Sequence, residues 1–242
     1  MDIIVRFIKK LIFPNTHSSE AFVSYLRSLG AEIGEDTFFW DPINTVVDIN
    51  RAHMLKLGKN VKITAGVTIL AHDYSRSTAF QATGIYAGDA GITRIGDNSF
   101  IGMNAILLMG STIGNNCIVG AGAVVSGIFP DGVVIGGNPA NVICTIEEFA
   151  KRRKDRELAS AVYYAKSWKE AYGSWPTIDE MSNAFAWLYL PRNMDTVEQY
   201  ASLFSLTAVD KNDLIDKFLN SEPVFSSFDD FINYCEKHAD NE

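Results

Sequence analysis

Between residues 95 and 135 the chain repeats a six-residue pattern in which each block opens on an aliphatic side chain. The blocks begin at Ile95, Ile101, Leu107, Ile113, Val119 and Val125, and a small residue follows most of them: Gly96, Gly102, Gly114, Gly120 and Ser126. Helical periodicity would not keep aliphatic residues in phase at this spacing, and strand alternation would not require glycine at one phase. The repeat predicts a prism of very short strands, in which each inward aliphatic residue stacks on its equivalent three blocks later. The small residue is expected at a corner, where a side chain would crowd the chain or φ must be unusual.

The repeat is weaker before residue 57 and interrupted after residue 72. Residues 33–57 keep the spacing through Phe39, Thr45 and Arg51, but with poor composition, which predicts a degenerate first coil that caps the prism. Residues 57–74 form a regular coil again. Residues 73–92 have no six-residue pattern, so we expect an insertion that loops out of one corner, where binding residues tend to lie.

After Cys144 the pattern becomes helical. Thr145 with Glu148 and Thr177 with Glu180 have the spacing of capping boxes, and a third start signal lies at residues 227–230. We therefore expect three parts: an N-terminal helical segment (1–30), a β-helix (31–144, with the insertion 73–92) and an α-helical C-terminal extension (145–242). The aromatic residues of the extension are expected in its core.

Residues 1–13 place apolar side chains on one helical face and basic side chains on the other. One interpretation is a helix that contacts a membrane surface. The alternative, which we favour, is a helix that packs on the protein itself or on a neighbouring subunit.

Composition excludes several classes of protein. The 242-residue chain is 47% hydrophobic, which argues against disorder, and its net charge of −8 argues against a nucleic-acid binder. The three cysteines are far apart and form no CxxC motif, so we expect a reducing, cytoplasmic compartment. No apolar run reaches the length of about 18 residues that a membrane span requires.

The six-residue register, the segment ILAHDYS around His72 and the GNPA turn near Pro139 resemble the hexapeptide-repeat acyltransferases. The similarity covers residues 30–145, and the nearest branch contains maltose, galactoside and nodulation-factor acetyltransferases and the O-acetyltransferases of surface polysaccharides. It implies a mainly β fold, a left-handed parallel β-helix, that acts as a homotrimer. The helical extension departs from many members of that family.

His72 lies in the segment that resembles the family's catalytic motif. A neutral imidazole can take the proton of a sugar hydroxyl as the hydroxyl attacks a thioester, and can then protonate the leaving thiolate. We expect direct transfer, since no Ser or Cys beside His72 demands a covalent intermediate. The alternative is a corner histidine with a structural hydrogen bond. Asp48, Asp73 or a backbone carbonyl are candidates to orient the imidazole, and Asp73, Tyr74 and Asp48 are candidate substrate-binding residues.

The resemblance also implies acetyl-CoA as the acyl donor, bound in a groove between subunits. Ala121, Ser126 and Gly127 match positions that line this groove. A lysine is usual at position 127 and a basic residue is frequent at position 144, where this chain has Gly127 and Cys144. The basic residues 151–154 are candidates to replace them, and the alternative for these four is a solvated helix face. No metal is expected, because the histidines of the prism do not supply the three zinc ligands of the carbonic anhydrases that share this fold.

The sequence therefore predicts an acetyl-CoA-dependent O-acetyltransferase that acts on a sugar or a surface-polysaccharide precursor. Two alternatives remain open at this stage. One is a small-molecule O-acetyltransferase that acts on an antibiotic or on serine. The other is a non-catalytic trimeric scaffold that binds a partner protein through its helical tail.

Overall fold

The computed structural model describes residues 8–204 and 211–238. Its repeat region consists of short strands that follow one another around a three-sided prism. In chain order they are β1 (Glu32–Ile33), β2 (Phe38–Phe39), β3 (Val46–Val47), β4 (Leu55–Leu57), β5 (Lys62–Ile63), β6 (Thr68–Ile69), β9 (Thr93–Ile95), β10 (Phe100–Ile101), β11 (Ile106–Leu107), β12 (Thr112–Ile113), β13 (Ile118–Val119), β14 (Val124–Val125) and β15 (Ile128–Phe129).

The three walls of the prism are parallel sheets, with strand orders β1-β4-β9-β12-β15, β13-β10-β5-β2 and β14-β11-β6-β3. Inward aliphatic residues stack in register, Ile101 on Val119 and Leu107 on Val125, and all four are fully buried. Burial of these columns is the main stabilising contribution, at about 25 cal/mol for each Å² of apolar surface. The predicted left-handed parallel β-helix is confirmed.

Three of the glycines that follow inward residues, Gly96, Gly102 and Gly114, are required by close approach rather than by a positive φ. A Cβ on Gly102 would lie 2.6 Å from the backbone nitrogen of Ala121 in the next coil, and φ at Gly102 is not positive. Positive φ is found at corner asparagines instead, such as Asn98 and Asn116, at 56° and 55°. Asparagine tolerates this region better than most residues. Of the two reasons given above, crowding is the one that applies.

The first coil is longer than a regular coil. Strand β1 pairs with β4 at an offset of 24 residues (Ile33 with Leu57), because a 3₁₀ helix at Ile49–Met54 occupies one corner. Arg51 lies in this 3₁₀ helix, so the regular six-residue spacing assumed through Arg51 was wrong. Helix α1 (Ser19–Ser28) is capped by the Ser18 side chain and packs Phe22 edge-on against Phe39, with ring centroids 4.9 Å apart.

The insertion after His72 contains a strand, a helix and a second strand. Strand β7 (His72–Asp73) pairs antiparallel with β8 (Asp89–Ala90), and α2 (Arg76–Thr83) lies between them in the chain. Of the amphipathic segment 1–13, residues 1–7 lie outside the described part of the chain. Residues 8–12 are helical, and Leu11 and Ile12 are mostly exposed.

The last strands close the prism by reversing direction. Strand β16 (Val133–Gly137) continues the wall that contains β13, and β17 (Ala140–Thr145) returns antiparallel to β16. A cis peptide bond between Asn138 and Pro139 lies in the turn that joins them.

The chain divides into two compact units, Met1–Phe149 and Ala150–Glu242. The second contains most of α3 (Ile146–Tyr172), followed by α4 (Ile178–Phe185), α5 (Met194–Gln199), α6 (Lys211–Leu219) and α7 (Phe228–Lys237). The predicted capping boxes at Thr145 and Thr177 are both present. The aromatic core of this unit includes Tyr189, Phe218 and Phe231. Within the described residues, no helix combines the length and apolarity that a membrane crossing requires.

Candidate active site

His72 and Asp48 form a hydrogen-bonded pair at one corner of the prism. Asp48 directly follows β3, and its amide donates to the carbonyl of Ile69 in the next coil at 3.1 Å. His72 opens β7, shortly after β6, and its Nδ1 bonds to Oδ2 of Asp48. The amide of Ala71 also donates to this carboxylate oxygen, at 3.3 Å. The pairing of β3 with β6 thus brings together two residues that are 24 positions apart.

Burial makes this pair well defined. The Asp48 side chain is 2% exposed and that of His72 is 10% exposed. A buried carboxylate requires partners, and here it has an imidazole and a backbone amide. A carboxylate that accepts from Nδ1–H places the proton on that nitrogen and leaves Nε2 able to accept another. The arrangement can therefore support general base chemistry at Nε2.

His72 lies on a cavity of about 490 Å³. Its lining residues are Leu70, His72, Asp73, Tyr74, Leu108, Met109 and Ser126. Leu70, Leu108 and Ser126 each come directly after a strand of the same wall, β6, β11 and β14. Residues far apart in sequence therefore stack at one corner, next to the insertion. The cavity combines three apolar side chains with one imidazole, one carboxylate and the hydroxyls of Tyr74 and Ser126, a set of groups that can bind a polar acceptor.

Tyr74, which lines the cavity, is contacted by the imidazole of His72 and by two cationic side chains that do not line it. The Tyr74 ring meets the imidazole of His72 edge-on, with centroids 4.0 Å apart. Cζ of Arg51 lies 5.8 Å from the centroid of Tyr74, and Cζ of Arg76 lies 5.3 Å from it. Arg76 also lies 5.6 Å from the centroid of Tyr86. The first coil and the insertion thus each place a cation against this lining residue.

Asp73, a candidate to orient the imidazole, is engaged elsewhere. Its carboxylate accepts from the amide and the hydroxyl of Ser75, at 2.7 and 2.8 Å. These hydrogen bonds lower the pKa of Asp73 below its ordinary value. Asp73 therefore carries a negative charge at the cavity, whereas Asp48 is the carboxylate that bonds to His72.

Only one of the three predicted donor-binding residues lines the cavity. Ser126 lines the cavity with His72, but Ala121 and Gly127 are exposed corner residues that do not line it. Gly127 has a φ of 96°, which favours glycine and explains the residue type independently of any ligand. Cys144 is buried and free.

Cysteine chemistry does not contribute to this site. All three cysteines are free and buried, and none lines the cavity. Burial raises the pKa of the Cys117 thiol, and it raises that of Cys235 to about 11. Buried thiols in apolar surroundings are poor nucleophiles. Across residues 8–204 and 211–238, no group of three or more His, Cys, Asp or Glu side chains is arranged to hold a metal ion.

Arg51 and Arg76 are the residues at the site that the sequence did not indicate. Arg51 was assigned to a regular coil, which concealed its position beside the site. Arg76 lies in the insertion, where the sequence shows a cation among aromatic residues. That composition does not tell whether the Arg76 side chain points toward His72 or away from it. Leu70, Leu108 and Met109 could have been found by stacking the six-residue blocks on one corner.

Comparison with known proteins identifies similar sequences. A family model described as "Bacterial transferase hexapeptide (six repeats)" matches residues 92–127. The chain is 35% identical over 130 residues to YvoF from Bacillus subtilis (strain 168), a protein named as an acetyltransferase. The alignment covers 54% of this chain and 69% of YvoF. It is 39% identical over 124 residues to Protein CapG from Staphylococcus aureus, covering 51% of this chain and 71% of CapG. It is 28% identical over 177 residues to galactoside O-acetyltransferase from Escherichia coli (strain K12), covering 64% and 86%.

Proposed function

Because this chain belongs to the bacterial hexapeptide-repeat transferases and is an acetyltransferase of that family, we propose that it moves an acetyl group from acetyl-CoA to a hydroxyl of a sugar. The acceptor in this proposal is a monosaccharide unit of a surface polysaccharide or of its precursor. The pairing of His72 with the buried Asp48, at a cavity large enough for a small acceptor, is the observation that carries it. The name of the E. coli relative, a galactoside O-acetyltransferase, supports a sugar hydroxyl as the acceptor.

In the proposed reaction His72 is the general base. Nε2 takes the proton of the acceptor hydroxyl as its oxygen attacks the thioester carbonyl carbon, and the imidazolium then gives this proton to the departing sulfur. One C–O bond forms, one C–S bond breaks, and no group remains on the enzyme. Asp48 holds Nδ1–H and stabilises the imidazolium.

Acetyl-CoA is the donor substrate in this proposal. The apolar side chains of Leu70, Leu108 and Met109 suit the thioester end of the donor, and the Ser126 hydroxyl can donate a hydrogen bond to it. We propose Ala121 and Gly127 as contacts for more distant parts of the donor, outside the cavity. We further propose that residues 31–144 form the acyltransferase domain and that residues 145–242 are a helical extension. In this proposal the segment 73–92 is a loop that contacts the acceptor.

We also propose that the active form is a homotrimer. The outer walls of the prism expose large apolar side chains: Ile128 is 82% exposed and Val46 is 56% exposed. Exposed apolar residues on regular walls are typical of surfaces that another subunit covers. A solution mass of about three times the chain mass of 26.7 kDa is expected by light scattering. A monomer that transfers acetyl groups at full rate would contradict the trimer proposal.

The function can be tested by incubating the purified protein with acetyl-CoA and a panel of acceptors that includes methyl glycosides, free monosaccharides and serine. Free CoA is measured with a thiol reagent, and the acetylated product is identified by mass spectrometry. We expect sugar-dependent CoA release, and a decrease in turnover of about 10²–10⁴-fold in His72→Ala.

His53→Ala is the matched control, because His53 is an exposed histidine of the same unit that does not line the cavity. Acetylation of serine but of no sugar would overturn the proposed acceptor class. A nearly normal rate in His72→Ala would remove His72 from the mechanism.

A further inference from the structure

Two arginines beside Tyr74 have no anionic partner in the part of the chain that the structure describes. Arg51 comes from the 3₁₀ helix of the first coil and Arg76 comes from α2 of the insertion, yet both guanidinium groups lie over the ring of Tyr74. Within the described residues, neither guanidinium makes a hydrogen bond or an ion pair with the protein. Two elements separated by a coil thus bring two positive charges to one side chain, which itself contacts the imidazole of His72.

We propose that Arg51 and Arg76 bind an anionic group of the acceptor, a carboxylate or a phosphate, while the hydroxyl to be acetylated lies at His72. This inference rests on the proposed function and adds the charge class of the acceptor. A guanidinium presents a planar set of N–H donors that matches both carboxylate and phosphate, and such charge-assisted bonds are stronger than neutral ones. Tyr74, between the two arginines and His72, supplies an aromatic surface for the sugar ring.

The carboxylates near the cavity restrict where the acceptor's anionic group can bind. Asp48 is buried against His72, Asp73 is held by Ser75, and Asp89 lies opposite Asp73 in the β7–β8 pair. An anion would be repelled on the side of Asp73 and Asp89, so the acceptor's charged group belongs on the side of Tyr74 that the two arginines occupy. Asp73 is then placed to accept hydrogen bonds from neutral hydroxyls of the same sugar.

The negative net charge of the chain strengthens the argument that these two arginines bind an anion. The net charge is −8, so the overall field of the protein opposes the approach of an anion. Unneutralised guanidinium groups beside the site of chemistry therefore have a specific consequence, namely selection of an acceptor that carries a negative charge.

The test compares acceptors that differ by one charge. Methyl galactoside is paired with methyl galacturonoside for the carboxylate arm, and glucose with glucose 1-phosphate for the phosphate arm. We expect the wild-type protein to have a higher kcat/KM for the anionic member of at least one pair. Arg51→Gln and Arg76→Gln should each lower that value by about tenfold to a hundredfold, the effect of one lost charge-assisted hydrogen bond. The kcat/KM for the neutral member and the KM for acetyl-CoA should change little.

Lys59→Gln is the matched control, because it removes the same charge from an exposed side chain at another corner of the prism. Arg76→Lys keeps the charge but loses the planar donor set, and should retain part of the preference. Raising the ionic strength should reduce the preference in the wild type, because both arginines are only half-buried and solvent-accessible charges are screened.

Binding without turnover separates this inference from the proposed function. Calorimetry on the wild type without acetyl-CoA should show tighter binding of methyl galacturonoside or glucose 1-phosphate than of the neutral partner, and each Arg→Gln variant should lose this difference. If anionic sugars bind in this way but no sugar is acetylated, the anion site stands and the O-acetyltransferase function fails. If neutral sugars are acetylated as well as anionic ones and neither arginine variant changes the ratio, the function stands and the anion site is overturned. No binding of any anionic sugar also overturns it.

Discussion

At the scale of single residues, the Asp48–His72 pair explains how one imidazole can be prepared for proton transfer. Asp48 is nearly fully buried and receives hydrogen bonds from the imidazole and from a backbone amide. Such a carboxylate holds the ring in one orientation and one tautomer, and it stabilises the imidazolium that forms during the reaction. The backbone of two adjacent coils fixes both residues, so the geometry requires no loop closure.

Replacement of Asp48 by asparagine tests this role. The amide keeps the shape of the side chain but can donate to Nδ1, which would place the imidazole proton on Nε2 and remove the base. We expect kcat to decrease by about 10²-fold or more, while KM for acetyl-CoA stays within about twofold. Steady-state kinetics with a fixed acceptor measure both values.

Asp41→Asn is the control for the Asp48 variant, since the carboxylate of Asp41 bonds to the nearby Asn44 and Asp41 does not line the cavity. Equal rates for Asp48→Asn and the wild type would show that Asp48 does not orient the imidazole.

The identity of the residue that bonds to His72 could not be obtained from the sequence. His72 was identified from its surrounding motif, and Asp48 and Asp73 were both candidates for its partner. The choice depends on the first coil, where the 3₁₀ helix at Ile49–Met54 adds residues and changes the offset between strands to 22 at β3–β6. The length and shape of such an insertion depend on tertiary packing, which a six-residue pattern does not encode.

At the scale of the coil, close packing of successive turns explains the small residues at fixed positions. Gly102 and Gly120 occupy equivalent positions in adjacent coils. A Cβ on Gly102 would lie 2.6 Å from backbone, whereas a Cβ on Gly120 would lie 3.4 Å from its nearest neighbour. The first distance is a clash with groups that cannot move independently, and the second is ordinary contact.

This difference predicts opposite outcomes for two similar substitutions. Gly102→Ala should reduce the free energy of unfolding by about 1–3 kcal/mol, because the next coil must shift to admit the methyl group. Gly120→Ala should change it by less than about 0.5 kcal/mol. Denaturant unfolding followed by circular dichroism measures both. Similar losses in the two variants would show that the crowding does not control stability.

A corner carboxylate links the stability of the coils to pH. Asp131 accepts hydrogen bonds from the amide and the side chain of Asn115 in the preceding coil, at 2.8 and 3.0 Å. These bonds lower the pKa of Asp131 from its ordinary value of 3.8. The ionised form is therefore the one that stabilises the fold. This contribution is complete above pH 3.8 and is lost as the pH falls below that value through the pKa of the folded state.

We expect the stability of Asp131→Asn to depend less steeply on pH than that of the wild type in this acidic range. The difference in urea midpoint between the two proteins should be constant above the ordinary pKa and should decrease below it. A difference that is the same at every pH would exclude ionisation of Asp131 as its cause.

At the scale of the whole chain, the residues that the structure describes form two hydrophobic cores with no side chain in common. One core contains the aliphatic columns of the prism, including Leu107, and the other contains the aromatic cluster around Phe231. The six-residue repeat predicted the prism of short strands and the capping boxes predicted the helical extension, whereas the left-handed winding was implied by the family resemblance. The arrangement of the helices in the second unit was not predicted, because helices do not carry a repeat that specifies their neighbours.

Separate cores predict separate local responses to cavity-forming substitutions. Phe231→Ala should destabilise the helical unit by about 3–5 kcal/mol, and Leu107→Ala should destabilise the prism by about 2–5 kcal/mol. Hydrogen–deuterium exchange resolved by peptide should show faster exchange of α7 in the first variant and of β11 in the second, with little change in the other unit. Faster exchange throughout the chain in either variant would show that the two cores unfold together.

The reversed strand β17 has a consequence for the end-to-end association of the prism. A stack of parallel turns presents, at its last turn, the same row of unpaired amides and carbonyls that another stack could extend, end to end, into a fibre. Because β17 runs against β16, it covers that row on one of the three walls with a strand of opposite polarity, on which a parallel turn of the same kind cannot be templated. We expect removal of this hairpin to expose the edge of β16 and to increase end-to-end association of the prism.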